Sequence, residues 1–401
     1  MTRLHARRGK HTVSLLIMII ISSTSAGRVR PAVAPVIQAI RARRTRARVT
    51  LSGLVLALIA VSVLCAATGA ARLDPGLVVS IVAHHTIGLP AEPTWTGIED
   101  AIVWITRMPR ILAAIGTGAV LAVAGSVLQA LVRNSLADPY LLGVNSGAST
   151  GAAAAILIIG GSSTFVLTGS AFLGATGAII LVLAISGSSG AARTPLRLIM
   201  AGMAVAYALS AVTSFIVFSS DSPEGARSVM FWLLGSLAAA SWDTTVGALV
   251  AAFALTVAVA FFAMRLDAMA TGDETALSLG LHPARTRLIL MVLVSFGVGV
   301  VVAGAGSIGF VGLVVPHIAR RLVGAGHRLQ LPASALIGAV FLLLADLAAR
   351  TLFAPHEMPI GVVTGVVGAP FLLALAASRR ESLPRARRSR RAPSPQQKGP
   401  A

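Results

Sequence analysis

The chain has 401 residues, of which 56% are hydrophobic and only 12% are charged, and its mean hydropathy is +0.85. This composition excludes a soluble globular domain, and repeated uncharged runs of about 20 residues predict a polytopic membrane protein. The formal net charge of +19 would suit a nucleic-acid-binding protein, but the positions of the cations favour a different explanation.

Lysine and arginine are concentrated at the termini and in alternate loops. Of the 33, eleven lie in residues 1–49, eight follow Ser378, and nine lie in loops that the span assignment below puts on the same side. Five remain for the opposite side. This asymmetry follows the positive-inside rule, so the side with most cations is predicted to be cytoplasmic. The high net charge is then explained without a nucleic-acid partner.

The two ends of the chain differ in composition from the middle. Residues 1–49 combine their cations with a short apolar run at 13–21, which imitates a secretory signal. Cleavage there would conflict with the topology that the later loops require, so we expect a basic, disordered N-terminal extension. The membrane domain is then expected to be 50–378, and 379–401 is expected to be a basic, disordered tail. The single Cys65 excludes a disulfide framework and a thiolate metal cluster.

Uncharged runs long enough to cross a bilayer recur from residue 51 onward. Two of them, the 54 residues between Asp138 and Arg193 and the 32 between Arg287 and Arg320, are too long for one span. Each is divided at a glycine-rich break, which also keeps the C-terminal cations inside. The prediction is ten spans with both termini cytoplasmic: 51–71, 111–132, 140–159, 164–185, 198–220, 245–264, 288–304, 308–323, 331–349 and 359–377.

Two loops on the predicted outer side have distinctive residues. The loop 72–107 is acidic, and its adjacent His84 and His85 are expected to be ordinary loop residues rather than metal ligands. The segment 220–244 contains Trp232 and Trp242 around a semi-apolar stretch, which predicts a surface or re-entrant helix.

The segment 107–151 has the most distinctive pattern in the chain. It opens on Arg107 and Arg110, continues through 22 uncharged residues, and closes on a polar turn and a patch of small residues at 143–151. A second such segment, 304–320, reads Gly-Ala-Gly-Ser-Ile-Gly-Phe-Val-Gly-Leu-Val-Val-Pro-His-Ile-Ala-Arg. Glycine and proline at these positions permit close helix crossings and broken helices.

These two segments, with 344–350 and 357–370, resemble the FecCD-type permease family, which imports iron–siderophores, haem and cobalamin by ATP-driven transport. The resemblance covers residues 51–378. It implies an all-α polytopic membrane protein of about ten transmembrane helices, with the inverted repeat of a type II ABC importer permease. Val123-Ala-Gly125 after Arg110 and Val302-Ala-Gly304 after Arg287 fit such a repeat. The matching signature positions, expected to serve packing, are Gln129, Asn134, Pro139, Gly309, Gly312, Pro316, His317, Asp346, Pro359 and Gly361.

The resemblance also assigns roles to charged residues at the two membrane faces. At the positions of Arg107, Arg110 and Arg350, family members hold an extracytoplasmic substrate-binding protein; contact with lipid headgroups is the alternative. The segment 272–282, with Asp273, Glu274 and Gly280, resembles the family's coupling segment for the ATPase subunit, and an ordinary solvated loop is the alternative.

A hydroxyl stripe at Ser210, Thr213 and Ser214 occupies one stretch of the fifth span. In the family this helix lines the translocation pathway, although such hydroxyls can also bond to the preceding turn of their own helix.

The implied function is transport without catalysis by this chain. The resemblance predicts a permease dimer, homomeric or heteromeric, in the plasma membrane, working by alternating access with two cytosolic ATP-binding subunits and a binding protein. No cofactor or metal is expected on the chain itself, and ATP is used by the partners. Iron(III)-siderophore is the expected cargo, haem and cobalamin are the rivals, and an ion-coupled carrier or membrane-embedded enzyme is the alternative class.

The cation asymmetry gives a topology prediction. Reporter fusions after Ser378 and within residues 265–287 should both report a cytosolic location, and a fusion within 74–105 should report an external one, because the positive loops stay inside. Reporter activity on each side of the membrane is the measurement. An external C-terminal reporter would contradict the ten-span topology.

Overall fold

The computed structural model describes residues 30–69, 71–160, 163–187 and 195–381, and all regular structure in that part is helical. The chain divides into two compact units, Met1–Thr50 and Leu51–Ala401. The second unit contains every site discussed below. The sequence-based expectation of an all-α polytopic membrane protein is confirmed.

Fourteen helices are numbered here in chain order within the described residues. Two of them contain π-helical turns, Ala101–Arg107 in α3 and Ala155–Ile159 in α4, and a short 3₁₀ turn, Pro139–Leu142, precedes α4. The helices are α1 Arg30–Ala67, α2 Pro75–Ile87, α3 Gly97–Val132, α4 Val144–Ile159, α5 Thr164–Gly187, α6 Pro195–Phe218, α7 Pro223–Leu233, α8 Trp242–Phe261, α9 Ala263–Thr271, α10 Asp273–Ser278, α11 Pro283–Ala305, α12 Val311–Val323, α13 His327–Thr351 and α14 Ile360–Glu381.

Seven of these helices contain a segment long and apolar enough to cross a membrane, in α1, α3, α5, α6, α8, α11 and α13. They account for seven of the ten predicted spans. The other three predicted spans fall on α4, α12 and α14. The apolar parts of α4 and α14, Val144–Ile159 and Ile360–Leu375, are shorter than the seven. Because α12 has 13 residues, it is only about 20 Å long, less than a hydrocarbon core of roughly 30 Å. The total of ten spans stays a prediction.

The predicted disordered extension ends earlier than residue 49. From Arg30 onward the chain is helical, in α1, so that part of the prediction is wrong. Residues 36–49 are mainly alanine, arginine and isoleucine and include no glycine or proline. Alanine and arginine are strong helix formers. Residues 1–29 and the predicted tail beyond Glu381 lie outside the described residues.

Helix α3 is the central element of the second unit. Of the 25 residues in its main part, Met108–Val132, 21 are buried, and α8, α11, α12 and α13 pack around it. Lipid offers no hydrophobic driving force between helices, so this packing depends on close fit. The many alanines and glycines of α3 allow that fit.

Glycine pairs bring the backbone of α3 against two neighbouring helices. A Cβ atom added to Gly118 would overlap the carbonyl oxygen of Gly338 in α13, and one added to Gly125 would overlap that of Gly312 in α12. Gly125 and Gly312 belong to the two signature segments, so these segments form one helix contact.

The helical structure is interrupted between α11 and α12, as the glycine-rich sequence predicts. Gly306 and Phe310 have φ angles of 70° and 69°, in the left-handed region that favours glycine. The hydroxyl of Tyr140 donates to the Ile308 carbonyl oxygen and accepts from the Ile308 N–H, both at 2.9 Å. The side chain of Tyr140 therefore satisfies backbone groups that the broken helix leaves unpaired.

The end of α7 and the start of α14 meet beside this break. The N–H groups of Ile360 and Gly361 donate to the carbonyl oxygens of Gly235 and Leu234, each at 3.0 Å. A side chain at Gly361 would overlap the Leu234 carbonyl oxygen, so this signature glycine is required by a close backbone contact.

The α3–α12 contact predicts a position-specific effect of alanine. Gly125→Ala should lower the thermal unfolding midpoint of the detergent-solubilised protein, because the two helices must separate at a cost of about 1–3 kcal/mol. Gly177→Ala in α5 is the control, since its Cβ would meet nothing within 4 Å, and it should be neutral or stabilising. Equal midpoints for the two variants would contradict the close contact.

Candidate functional site

Charged groups gather at the two ends of α3, here called the Arg110 end and the Arg133 end. The π-helical turn Ala101–Arg107 ends two residues before Pro109, and proline lacks the N–H that a continuous α-helical ladder needs. The hydroxyl of Thr245 in α8 donates to the Pro109 carbonyl oxygen at 2.8 Å. The turns of α3 around Pro109 are thereby fixed, and the side chains of Arg107 and Arg110 are buried.

Arg110 is held by two carboxylates. Its Nε lies 2.9 and 3.1 Å from the two oxygens of Asp346 in α13, and its Nη1 lies 3.1 and 3.0 Å from those of Glu357. Asp346 also lies 3.6 Å from Nε of Arg350. A buried guanidinium needs such partners, because burying an unpaired charge is very costly.

Arg107 and Arg350 bind the C-terminal end of α1. Arg107 donates to the carbonyl oxygens of Ala66 and Ala71, and Arg350 donates to those of Cys65 and, at 2.7 Å, Thr68. The last carbonyls of a helix have no partner inside it and carry partial negative charge. The two arginines therefore cap α1.

The three arginine side chains at this end are buried in the single chain. Arg107 is 7% exposed and Arg110 is 9% exposed, and the Arg350 side chain is 9% exposed. The reason is the supply of internal acceptors, two carboxylates and the end of α1, which the sequence does not reveal. Their role in docking a binding protein stays a prediction.

At the Arg133 end, Gln129 connects α3 to α12. Its amide nitrogen donates to the carbonyl oxygens of Gly312 and Leu313, both at 3.2 Å, and its amide oxygen accepts from Nη2 of Arg320 at 2.7 Å. These carbonyls lie in the first turn of a helix that also contains Pro316. The signature glutamine thus joins α3 to α12 through hydrogen bonds.

Asp273, at the start of α10, joins the coupling segment to two other helices. Nη2 of Arg287 in α11 lies 3.0 and 3.1 Å from its oxygens, and Nη2 of Arg133, which caps the end of α3, lies 3.7 Å away. Arg287 is 3% exposed, so a buried cation holds the segment in place. Arg110 and Arg287, the two arginines compared as a repeat, both pair with carboxylates.

The rest of the coupling segment faces outward. Glu274 and Gly280 are exposed, and so are Leu277 and Leu279, at 59% and 65%. Gly280 has φ 75°. The structure therefore separates a residue that fixes the segment, Asp273, from residues available to a partner.

The predicted hydroxyl stripe on α6 does not share one environment. Thr213 is buried, and its hydroxyl lies 2.8 Å from that of Thr150 in α4, whereas Ser210 and Ser214 are exposed in the single chain. Successive helical residues are about 100° apart, so Thr213 points about 100° away from Ser214. In the single chain Thr213 is therefore covered by α4, whereas the two serines are not. A role of these three residues in the translocation pathway stays a prediction.

The turn after α3 is ordered by its own polar residues. The Asn134 side chain accepts from the N–H of Leu136 at 3.0 Å, and that of Asp138 accepts from the N–H of Tyr140 at 2.9 Å. Burial raises the pKa of the Asp138 carboxyl to about 6, against the hydrogen bond from Tyr140. Pro139 packs against Gly312.

The remaining signature residues, His317, Pro359 and Gly309, differ in their surroundings. The His317 ring contacts the edge of Phe371 in α14, with ring centroids 5.8 Å apart, and Pro359 lies directly before α14. A Cβ atom at Gly309 would meet nothing within 4 Å, so packing does not explain that glycine. In the described part of the chain, no group of three His, Cys, Asp or Glu side chains is arranged to hold a metal ion.

Sequence reasoning missed three contacts. Tyr140 and Glu357 were not singled out. Tyr140 could have been noticed as one of few aromatic hydroxyls in the membrane domain, and Glu357 as one of few acidic residues on the predicted outer side. His85, expected to be an ordinary loop residue, stacks on Trp104 at 4.3 Å and contacts Asp100 at 2.9 Å. Its acidic partner is 15 residues away in sequence, which hid the pair.

Comparison with known proteins identifies the arrangement. The profile of the FecCD transport family matches residues 15–378. The chain belongs to the FecCD transport family. The match extends further toward the N-terminus than the expected limit of residue 51, so that limit was wrong.

Relatives within this family carry different cargo names. The Fe(3+)-citrate import system permease protein YfmD of Bacillus subtilis is 38% identical over 70% of this chain and 83% of its own length. The cobalamin import system permease protein BtuC of Halobacterium salinarum is 38% identical, over 76% and 79%. The hemin transport system permease protein HmuU of Yersinia pestis is 37% identical, over 74% and 90%.

A solved structure of a metal-chelate type ABC transporter in an inward-facing conformation has the same fold. It is 33% identical, covers 82% of this chain and 98% of its own, and superposes with a TM-score of 0.71. This FecCD-family chain is therefore an integral plasma-membrane permease of an ABC importer and not an enzyme.

The Arg110 cluster gives a stability prediction. Arg110→Ala should lower the free energy of unfolding by about 3–5 kcal/mol, because it leaves the buried Asp346 carboxylate short of its closest cation. Equilibrium unfolding in mixed micelles measures the change. Arg72→Ala, at an exposed arginine on the same predicted side of the membrane, is the control and should change little. Equal stability of the two variants would show that the cluster does not support the fold.

Proposed function

We propose that this FecCD-family permease imports iron(III)-siderophore complexes by alternating access. The observation that carries the mechanism is the attachment of the coupling segment. Asp273 is bound to Arg287 of α11 and lies near Arg133 of α3, while Glu274 and Leu277 remain exposed beside it. A segment fixed on one side and exposed on the other suits a contact that transmits force from a partner.

The cargo proposal rests on the relatives. YfmD is named for iron(III) citrate, and the similar solved transporter is described as metal-chelate type. Haem and cobalamin are the alternatives, supported by the names of HmuU and BtuC. All three cargoes are large, so the same permease architecture suits each.

The proposed orientation puts the Arg133 end in the cytosol and the Arg110 end outside. The positive-inside distribution of the cations supports it, because the loops at the Arg133 end carry most of the internal arginines. Both termini are then cytoplasmic.

The proposed partners follow from this orientation. Two ATP-binding subunits would contact the coupling segments at the Arg133 end and use the ATP, so the permease needs no cofactor. A substrate-binding protein would dock at the Arg110 end. Arg107, Arg110 and Arg350 are each bound to acceptors within the chain. To bind the docked protein, they would exchange these internal acceptors for acceptors on that protein.

A second permease, identical or homologous, would complete the pathway. The exposed face of α6 supports this part of the proposal, because Tyr207, Ser210 and Ser214 lie on it without cover from the single chain. Polar hydroxyls on a membrane helix suit a watery pathway better than lipid. Lipid would contact the remaining apolar surface.

Transport by the reconstituted complex tests the proposal. Proteoliposomes that hold the permease, its ATPase subunit and its binding protein should accumulate radiolabelled iron(III)-hydroxamate only when ATP is supplied to the ATPase side. Unlabelled haem and cyanocobalamin serve as competitors. Uptake that continues without the ATPase would favour an ion-coupled carrier, and uptake of haem or cobalamin alone would replace the siderophore.

Charge reversal tests the coupling contact in the same assay. Glu274→Lys should lower ATP-driven uptake by about tenfold or more, because a loss of 1.4 kcal/mol at the ATPase contact already corresponds to that factor. Glu92→Lys makes the same substitution at an exposed glutamate on the other predicted side and should leave uptake unchanged. Full uptake by the Glu274 variant would remove the coupling role from this segment.

A further inference from the structure

The two carboxylates on Arg110 differ sharply in exposure. The Asp346 side chain is 1% exposed, whereas that of Glu357 is 46% exposed. They also use different nitrogens, since Asp346 contacts Nε and Glu357 contacts Nη1. One carboxylate is therefore inside the protein, and the other covers the outward edge of the same guanidinium.

Asp346 holds Arg110 without help from Glu357. Both oxygens of Asp346 contact Nε of Arg110, at 2.9 and 3.1 Å, and one lies 3.6 Å from Nε of Arg350. The guanidinium of Arg110 would thus keep its position if Glu357 left. The outward edge would then offer Nη1 to a second carboxylate.

Glu357 can leave by side-chain rotation alone. It lies in the connection between α13 and α14, and the backbone on its C-terminal side is fixed. The N–H of Met358 donates to the Ala349 carbonyl oxygen at 2.9 Å, and that of Ile360 donates to the Gly235 carbonyl oxygen at 3.0 Å. A half-exposed glutamate regains water and rotamer freedom on release.

We propose that Glu357 occupies the position on Arg110 that a carboxylate of the docking partner takes. The partner is an extracytoplasmic binding protein with an exposed acidic residue, and the inference rests on the proposed function for that partner. On docking, the partner carboxylate replaces Glu357 on Nη1 while Asp346 keeps the guanidinium oriented. Exchanging one carboxylate for another leaves no buried charge unpaired.

This exchange assigns Glu357 the role of an internal competitor. A competing carboxylate lowers the affinity of the partner, which favours release after cargo delivery. It also keeps Arg110 paired in the undocked permease. The buried position of the arginine, which conflicts with a simple exposed docking site, then agrees with docking.

The test compares two substitutions with the same change of charge. The permease complex in lipid nanodiscs is titrated with its cargo-loaded binding protein, as wild type, Glu357→Gln and Glu92→Gln. Glu92 is an exposed glutamate on the same predicted side, so its variant controls for long-range electrostatics. Removing the competitor should tighten binding about threefold to fivefold, the factor that corresponds to a rim ion pair of up to about 1 kcal/mol.

Each outcome decides the inference. Tighter binding by Glu357→Gln than by Glu92→Gln supports it, and Glu357→Ser should act in the same direction if the glutamine variant does not fold. Binding by wild type with equal affinities for the two glutamine variants overturns the competitor while leaving the partner in place. Absence of wild-type binding overturns the proposed partner, and the competitor with it.

Discussion

The burial of Arg110 inside a membrane protein is the constraint on which the rest of this structure depends. A buried guanidinium needs hydrogen-bond acceptors and a negative charge to replace the water it loses, and Asp346 in α13 supplies both. That pair fixes α3 against α13 at one end. At the other end Arg133 and Gln129 reach Asp273 and the first turn of α12, so the central helix is held by polar groups at both ends.

Between those ends, α3 can pack at the centre only because many of its side chains are small. Gly118 and Gly125 let it approach Gly338 and Gly312 at backbone distance, which gains dispersion contacts where lipid provides no hydrophobic driving force. The same contact puts the first signature segment against the second. Signature residues from both segments therefore contribute to one helix–helix contact and to the interruption between α11 and α12 beside it.

Much of this fold could be predicted from the sequence, because helix length and apolar runs are local properties. The seven long spans, the surface helix after residue 220 and the break near Gly306 were all predicted. The burial of Arg107, Arg110 and Arg350 could not be predicted, because it depends on acceptors far away in sequence, in α1 and α13. The split of the hydroxyl stripe at Thr213 likewise required Thr150, in another helix. The scarcity of external acids could have pointed to Glu357, but its pairing with Arg110 is a contact between residues 247 positions apart.

The central claim is that polar groups at both ends hold α3 as one rigid helix. In the proposed function, this helix would connect the ATPase side to the docking side. Spin labels at two exposed positions near its ends, Ile105→Cys and Leu136→Cys in a Cys65→Ser background, report its length directly. The separation should be on the order of 40 Å from the helical rise. Pulsed electron resonance on the transporter complex should give one narrow distance that is the same with and without ATP. A distance that shifts or broadens on ATP binding would show that α3 bends and would contradict the account.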